Sequence, residues 1–403
     1  MPATPLITPR VAAAAIESHL TRLPIQSLPL RQCVGSILRQ DVEAERDQPP
    51  FDRAAMDGIA VHSEALRRDL KRFEIQATQA AGQPALVLSR QDRAIEIMTG
   101  AVLPAGCDCV IPVEQVSVVN GFANLSGSVN GTAYHNVHRR GSDARAGSRI
   151  LASGTLLRAP EIAVAASAGL SAMQVTRQPD IMLMSTGNEL VEPGMPIADF
   201  QVRRSNIYAV SAALLRRGFL RVRDDHSADS EADLQERLRR HLSENDVLIL
   251  SGGVSMGKFD LVPKALKTLG VKEIFHKIAQ RPGKPMWFGI GPQGQAVFGL
   301  PGNPVSTLMC LIRYVVPALA VAMGARRTPQ KVSLAVPFTS SHSLTYFLPV
   351  AIMSDDVGRP WATPKPTKGS GDFLSLTVSD GFVELPPGPD TLPQGYAADV
   401  YRW

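Results

Sequence analysis

The feature that most constrains this chain is an alternation of short apolar segments and helix-like segments between residues 179 and 326. The four pairs of strand-like and helix-like segments are 181–184 with 206–217, 220–222 with 231–241, 247–250 with 261–269, and 296–298 with 305–323. This order predicts parallel strands joined by crossover helices that cover both faces of one sheet. We therefore expect residues 179–326 to form a doubly wound α/β domain.

The flanking regions follow other patterns. Residues 8–22 read as an amphipathic helix that Thr8 caps, and 155–173 also have helical character. Between them, short apolar segments alternate with Gly and Asn turns. We expect a discontinuous helical and extended N-terminal domain, an inserted β-rich domain and a small C-terminal β-barrel, giving an α/β multidomain protein. Their predicted bounds are 1–50 with 151–178, 51–150, and 327–403.

Charge and composition narrow the partners. The net charge is +5 in 403 residues, and the basic residues occur as scattered pairs rather than as one cluster. This favours an anionic small molecule over nucleic acid. The four cysteines have no zinc spacing, and the N-terminus shows no signal-peptide pattern. The most apolar late segment, 314–324, contains Pro317 and is short for a membrane span. We expect a cytoplasmic protein without membrane contact.

Three glycine-rich loops follow strands of the predicted sheet. Glycine lets backbone N–H groups approach a ligand, and the helix that follows attracts phosphate with its positive end. Any one of these loops could be only a turn between a strand and a helix. Three such loops in one sheet, each with hydroxyl groups, favour a ligand site instead. None has a Walker or dinucleotide pattern. The candidate ligand-binding residues in these loops are Ser185, Thr186 and Gly187; Gly252, Gly253, Ser255 and Gly257; and Pro301, Gly302, Asn303, Pro304 and Ser306.

Acidic and basic residues accompany the loops. Carboxylates beside a phosphate are costly unless a cation neutralises both, which Mg²⁺ does routinely. Glu189 and Asp260 are the stronger candidate Mg²⁺ ligands; Asp229 is a third, although it also reads as a helix N-cap. Lys277, Arg281 and Lys284 are candidate anion ligands. Their segment would place them on one face of a helix, or on one side of a strand and turn. The alternative to anion binding is that these residues only form a solvated basic edge. The Pro282-Gly283 pair favours the strand and turn.

These motifs together resemble the molybdopterin molybdenumtransferase family of the MoeA/gephyrin type. The resemblance covers essentially the whole chain and depends on six short motifs in order. They are 51–61 (FDRAAMDGIAV), 97–100 (IMTG), 185–189 (STGNE), 251–257 (SGGVSMG), 281–285 (RPGKP) and 301–304 (PGNP).

The resemblance implies a reaction. Such enzymes take adenylated molybdopterin and molybdate, cleave the phosphoanhydride with the help of Mg²⁺, and release AMP. They are homodimers whose cleft lies between the α/β domain of one protomer and the inserted domain of the other. A molybdopterin adenylyltransferase is a possible partner protein.

The resemblance also extends the set of site residues. It implies a role for Asp57, Thr99 and Asp143 in the inserted domain and for Ser370 in the last domain. It assigns Asp57 or Asp143 to orient or deprotonate the attacking oxygen, and Lys277 with Arg281 to stabilise charge. Asp224 and Asp225 are alternatives to Asp229 for the same acidic position of the family.

The sequence departs from the family pattern at Ala54, Asn188, Arg281 and Leu344. The last of these stands where the family often has Arg. Two other functions stay open at this point. One is a molybdopterin adenylyltransferase, and the other is a scaffold of the same fold without catalysis.

Overall fold

The computed structural model describes residues 6–253, 261–325, 330–340, 343–388 and 391–403. Its centre is a six-stranded sheet. In spatial order its strands are Val222–Ser227, Ile181–Thr186, Val247–Ser251, Ala296–Leu300, Trp287–Ile290 and Lys272–His276. The first four are parallel. At one edge, Trp287–Ile290 pairs antiparallel with Ala296–Leu300, and Lys272–His276 pairs antiparallel with Trp287–Ile290.

Helices cover both faces of this sheet. Ser205–Leu215 and Pro304–Cys310 pack together on one face, where Leu183 and Phe298 point. Glu231–Glu244 and Val262–Thr268 pack on the other face, against Met184 and Leu250. The predicted doubly wound architecture is confirmed.

One strand lies later in the sequence than predicted. The strand predicted at 220–222 begins at Val222 and continues to Ser227 through the polar residues 223–226. It forms an edge of the sheet, where one side faces solvent and polar side chains are tolerated, so a search for apolar segments finds only its start.

The long helix predicted at 305–323 contains a wider turn. It runs as an α-helix from Pro304 to Cys310, as a π-helix over Leu311–Val315, and as an α-helix again over Val316–Ala322. Pro317 has no N–H to bond the carbonyl of Arg313, and the N–H of Val316 instead reaches back five residues to Leu311. In the described part of the chain, Pro304–Ala322 is long and apolar enough to cross a membrane, but most of it is buried inside the protein.

The inserted domain is built on a second six-stranded sheet. Its strands, in spatial order, are Cys109–Pro112, Gly58–Val61, Arg93–Ile97, Arg72–Gln79, Phe122–Leu125 and Val116–Val119. The short helix Ser63–Arg67 follows one strand, and Ile59, Phe73 and Ile111 fill the core. At the end of this domain, Arg53–Ala54 pairs with Val137–His138.

The N-terminal region contains more strand than predicted. Ile25–Pro29 pairs with Ala172–Thr176, and Val42–Glu43 pairs with Arg149–Leu151. The helix expected over 155–173 covers only Ala159–Ser167, because Gly169 takes a left-handed conformation (φ +81°) that ends it.

The first helix, Pro9–His19, begins as predicted, with Thr8 Oγ1 accepting from the Val11 N–H at 3.3 Å. Its Ala12 and Ile16 are buried in the core of the α/β domain, beside Leu319. The segment 1–50 thus contacts two regions, and the predicted domain bounds remain a prediction.

A closed five-stranded barrel ends the chain. Its strands, in order around the barrel, are Thr345–Ser354, Pro360–Pro364, Lys331–Leu334, Ala397–Arg402 and Gly381–Leu385, the last pairing again with the first. The strand Gln280–Arg281 of the preceding domain adds to Thr345–Ser354 in parallel. This addition attaches the barrel beside the carboxyl ends of the central sheet.

The remaining described elements are short. They are the strand pairs Leu190–Val191 with Val202–Arg203 and Phe338–Thr339 with Thr391–Leu392, and the 3₁₀ turns Leu30–Gln32, Val113–Gln115 and Leu374–Val378.

Candidate active site

The three predicted loops meet at one edge of the central sheet, because they follow three neighbouring parallel strands. A Cβ placed on Gly252 would lie 3.3 Å from the carbonyl oxygen of Thr186, and one on Gly302 would lie 3.6 Å from the Gly252 Cα. The loops are therefore in van der Waals contact through their backbones. Ser255, Gly257 and Asp260 lie outside the described residues.

Asn206 joins two of these loops. Its side-chain N–H groups donate to the Gly302 carbonyl at 2.8 Å, to Ser251 Oγ at 3.0 Å and to Thr307 Oγ1 at 3.2 Å. Its Oδ1 is buried without a hydrogen-bond partner among the described residues. Asn206 was not predicted as a site residue, because its only local signal is a polar amide in the first turn of the helix that follows the first loop.

The mostly buried side chain of Arg204 contacts the first loop through Ser185. Only 11% of its side chain is exposed, and it contacts two carboxylates, Glu192 at 2.6 Å and Asp224 at 3.1 Å. Its Nε donates to Ser185 Oγ at 3.0 Å. No sequence pattern indicated this role for Arg204, whose charge is balanced by these two acids.

Ser185 also contacts a histidine. Its Oγ accepts from Arg204 Nε and forms a second hydrogen bond with His226 Nδ1 at 3.0 Å, whose direction depends on the tautomer of the imidazole. Burial lowers the pKa of His226, and the neighbouring Arg204 charge acts in the same direction. A neutral His226 therefore fits this position.

A first cavity of about 300 Å³ lies between the three loops. It is lined by Thr186, Glu189, Gly252 and Asn303, together with Arg204. The carboxylate of Glu189 bends back over Gly187, where an added Cβ would lie only 2.3 Å from Oε2. Gly187 is favoured by its backbone conformation (φ +134°), and a larger residue there would also displace the Glu189 carboxylate.

Asp229 contacts the first loop and is not a helix cap. The Asn188 N–H donates to Asp229 Oδ2, and the Asp229 N–H donates to Asn188 Oδ1, both at 3.1 Å. The cap of helix Glu231–Glu244 is Ser230, whose hydroxyl accepts from the Asp233 N–H. The N-cap interpretation of Asp229 is therefore wrong.

The described residues partly fit a magnesium site. They contain no group of three or more acidic, His or Cys side chains that could hold a metal ion. Mg²⁺ usually binds through one or two protein carboxylates, phosphate oxygens and retained waters. Glu189 lines the first cavity, and Asp229 contacts the same loop through Asn188, so these two carboxylates are the described candidates for such a donor set.

A second cavity of about 430 Å³ adjoins the first and shares Asn303 with it. It lies between the third loop, residues 280–285 and the barrel. Three cations line it: Arg281, Lys284 and Lys368. Lys368 was not identified from the sequence as a site residue, although it lies two positions before Ser370.

The barrel contacts the third loop directly within this cavity. Asn303 Nδ2 donates to Ser370 Oγ at 2.8 Å, and the Val305 N–H donates to the Ser370 carbonyl at 3.0 Å. The side chain of Asn303 therefore contacts the barrel and does not cap the helix that follows it. The barrel also uses one of the helix N–H groups that were predicted to face a phosphate.

The segment that carries Arg281 is a strand and a turn, not a helix. Gln280 is fully buried, accepts from the hydroxyl of Tyr314, and donates to the Gly283 carbonyl at 3.2 Å. This network presents Arg281 and Lys284 to the second cavity. Lys277 lines neither of the two cavities.

Asp57 and Thr99 form a pair in the inserted domain. Asp57 Oδ1 accepts from the Thr99 N–H at 2.6 Å and from the Thr99 hydroxyl at 2.8 Å. These two hydrogen bonds lower the pKa of Asp57.

Asp143 lies in the same domain. Its Oδ1 contacts His138 Nε2 at 2.8 Å, and this contact lowers the pKa of Asp143. Neither Asp57, Thr99 nor Asp143 lines the two cavities within one chain.

Comparison with known proteins agrees with this geometry. Three family models match successive parts of the chain: the MoeA N-terminal region (domain I and II) at 7–169, a probable molybdopterin binding domain at 182–321, and the MoeA C-terminal region (domain IV) at 331–403.

Named relatives and solved structures match over nearly the full length. Molybdopterin molybdenumtransferase of Synechocystis sp. is 37% identical over 99% of this chain and 100% of its own length. The enzyme of that name from Synechococcus elongatus is 32% identical over 96% and 98%. The molybdopterin biosynthesis MoeA protein of Pyrococcus horikoshii OT3 superposes with a TM-score of 0.81 at 25% identity, covering 99% of this chain and 100% of that one.

The match includes the inserted domain and the barrel as well as the α/β domain, so an adenylyltransferase that consists of the α/β domain is not favoured. With its four regions in this order and its loops gathered at one sheet edge, the chain belongs to the MoeA family of molybdopterin molybdenumtransferases.

Proposed function

We propose that this protein transfers molybdenum from molybdate to adenylated molybdopterin and releases AMP, as a step in molybdenum cofactor biosynthesis. The observation that carries the proposal is the pair of adjoining cavities at the carboxyl ends of the central sheet. The first is lined by glycines, several hydroxyl groups, Glu189 and the ion-paired Arg204, and the second by three cations with no acidic side chain among its described lining residues. A substrate with a diphosphate and a second oxyanion matches this division.

The cations bind oxyanions in the second cavity. Arg281, Lys284 and Lys368 surround a space that also contains the hydroxyls of Ser306 and Ser370. The guanidinium of Arg281 offers a planar fork for two oxygens, whereas the two ammonium groups act as point charges. Leu344 also lines this cavity, so one wall is apolar where the family often has an Arg.

The first cavity holds the diphosphate. Backbone groups of Gly252 and Gly302 come close to the ligand space because no Cβ intervenes, and Thr186 adds a hydroxyl. Glu189 and Asp229 would hold Mg²⁺, with Asp260 as a further proposed ligand from outside the described residues. A bound Mg²⁺ neutralises phosphate charge and orients the anhydride.

The inserted domain contributes from a second copy of the chain. Asp57, Thr99 and Asp143 line neither cavity in one protomer, and a homodimer would bring them to the cavities of the partner. The carboxylates of Asp57 and Asp143, with pKa values lowered by hydrogen bonds, would be ionised near neutral pH and able to orient or deprotonate the attacking oxygen. We further propose a cytoplasmic location and an adenylyltransferase as the supplier of substrate.

The direct test is an assay of AMP. Purified protein is mixed with adenylated molybdopterin, molybdate and Mg²⁺, and we expect AMP release that stops when the metal is chelated. Consumption of ATP and molybdopterin instead would indicate an adenylyltransferase, and no turnover of either substrate would indicate a scaffold. Turnover that persists in the chelator would contradict the magnesium site.

Charge variants test the second cavity. Arg281→Met and Lys368→Met are each expected to lower kcat/KM about tenfold or more, because a hydrogen bond to a charged group contributes about 1.5–3 kcal/mol. Lys331→Met, on an exposed barrel strand away from the cavity, is the matched control and should keep full activity. Equal effects of all three would refute a specific oxyanion site.

A further inference from the structure

His138 lies between Arg53 and Asp143 at the edge of the inserted domain. Its Nε2 is 2.8 Å from Asp143 Oδ1, and its Nδ1 is 3.1 Å from Arg53 Nη2. The three side chains form a continuous chain of contacts. His138 and Arg53 are held opposite each other because their two short strands pair, with His138 in register with Arg53.

The chemistry of arginine decides which ring nitrogen carries the proton. A guanidinium has only donors, so Nδ1 of His138 must accept from Arg53 and therefore carries no hydrogen. In the neutral ring the hydrogen is then on Nε2, which donates to Asp143. A proton on Nδ1 would face the Arg53 cation at hydrogen-bond distance and would be repelled.

This arrangement leaves one carboxylate oxygen of Asp143 available. Oδ1 receives the His138 N–H and the Ser142 hydroxyl, the latter at 3.1 Å. Oδ2 receives no hydrogen bond from the described residues. The side chain of Asp143 is 54% exposed, so a substrate can reach that oxygen.

We propose that His138 is a positioning residue, fixed by Arg53 as the Nε2–H tautomer, which orients the Asp143 carboxylate so that Oδ2 faces the reacting oxygen. This inference rests on the proposed function, because it needs Asp143 to act in the reaction. It assigns His138 no contact with substrate. Its effect passes through one hydrogen bond to Asp143.

The tautomer is tested without substrate. Protein labelled with ring-¹⁵N histidine is measured at pH 8, with the spectrum of His138→Gln used to assign the resonances. We expect a protonated Nε2 and a bare Nδ1 for His138, and a mixture of the two tautomers in Arg53→Met. A hydrogen on Nδ1 in the wild type would overturn the proposal, whatever the protein catalyses.

The positioning role is tested by kinetics of AMP release. His138→Leu removes the donor and should lower kcat about tenfold with KM nearly unchanged, since one hydrogen bond to a carboxylate is lost. His138→Gln keeps a donor at a similar place and should recover most of kcat. His135→Gln, in the same domain and away from Asp143, is the matched control.

The outcomes separate the two proposals. Wild-type protein that releases no AMP refutes the proposed function and leaves the tautomer result standing. An active wild type with normal kcat in His138→Leu, or with only KM raised, refutes the positioning role. Normal kcat in Asp143→Asn refutes that role as well, because there is then no carboxylate to orient.

Discussion

At the residue scale, glycine is required where two segments touch. Gly283 follows Arg281 and Pro282 in the turn that presents cations to the second cavity, and its φ is +92°. A Cβ there would lie 2.6 Å from Cys310 Sγ and 2.7 Å from Gln280 Nε2. The sequence pattern marked this glycine as a turn residue, but only the structure shows which side chains exclude a methyl group.

Gly283→Ala is therefore expected to lower the free energy of unfolding by about 3 kcal/mol, from backbone strain and overpacking together. Denaturant unfolding of purified protein measures this. Gly358→Ala is the matched control, because its φ is +79° but nothing lies within 4 Å of the added Cβ. It should cost only about 1 kcal/mol. Equal losses in the two variants would show that contact with Cys310 and Gln280 does not matter.

At the element scale, single side-chain contacts decide where elements begin and how they join. The helix Ala159–Ser167 begins at a carboxylate: Glu161 accepts from the Arg158 N–H at 2.8 Å and from Arg158 Nη2 at 2.7 Å. These contacts lower the pKa of Glu161 to about 2, and the hydrogen bond from the Arg158 side chain contributes most. The sequence predicted the helix without identifying this cap.

Glu161→Gln should destabilise the protein in a pH-dependent way. Because the folded pKa of about 2 lies below the ordinary value of 4.5, the stabilisation is fully present above pH 4.5. It is lost as the pH falls through the folded value. Urea midpoints at pH 7, 4 and 3 should therefore differ most between wild type and variant at pH 7 and converge at low pH. Glu236→Gln, exposed on helix Glu231–Glu244, should show no such convergence.

The junction of the last helix and the barrel contains an ion pair between a buried arginine and a half-buried glutamate. Arg313 Nε is 2.6 Å from Glu384 Oε2, and the Arg313 side chain is 7% exposed. The guanidinium also lies 5.0 Å from the ring centroids of both Tyr314 and Tyr401. Arg313 comes from the π-helical turn, so the irregular turn carries the residue that contacts the barrel.

Arg313→Met should cost about 3 kcal/mol, because it leaves the half-buried Glu384 carboxylate without its charged partner and with only the Tyr401 hydroxyl as a donor. The double variant Arg313→Met/Glu384→Met should recover most of that loss, since no unpaired charge remains. Denaturant unfolding of the two variants gives the comparison. If the double variant is at least as unstable as the single one, the attraction between Arg313 and Glu384 exceeds the cost of removing the two charges from water.

At the scale of the whole molecule, the proposed site needs two chains. Arg281 lines the second cavity, whereas Asp143 lines neither cavity within one protomer. A site shared between protomers allows two defective variants to complement each other, whereas a site within one protomer does not. Two inactive variants, each defective in one half of the site, can form one intact site when they pair.

Co-expressed Arg281→Met and Asp143→Asn chains should recover about a quarter of wild-type AMP release, since random pairing gives half heterodimers with one intact site each. Each variant alone should keep about a tenth of the wild-type activity or less. AMP release by the purified mixture, at the same total protein concentration, is the measurement. A mixture no more active than its components would place the whole site within one chain.

The sequence by itself determined the elements whose signals are local. The alternation at 179–326 predicted the doubly wound sheet, and six short motifs predicted the family, and both are confirmed. These patterns predict structure reliably because hydrophobic periodicity, glycine and proline act on the backbone of neighbouring residues. The glycine loops were placed at strand ends for the same reason.

Only the tertiary structure decided which distant side chains meet. Asn206 joins two loops, Lys368 comes to the cation cavity from the barrel, and His138 lies between Arg53 and Asp143. It also showed that Asp229 is joined to Asn188 rather than capping a helix, and that the edge strand extends through polar residues. No local pattern encodes these contacts, because each depends on packing between segments far apart in the chain.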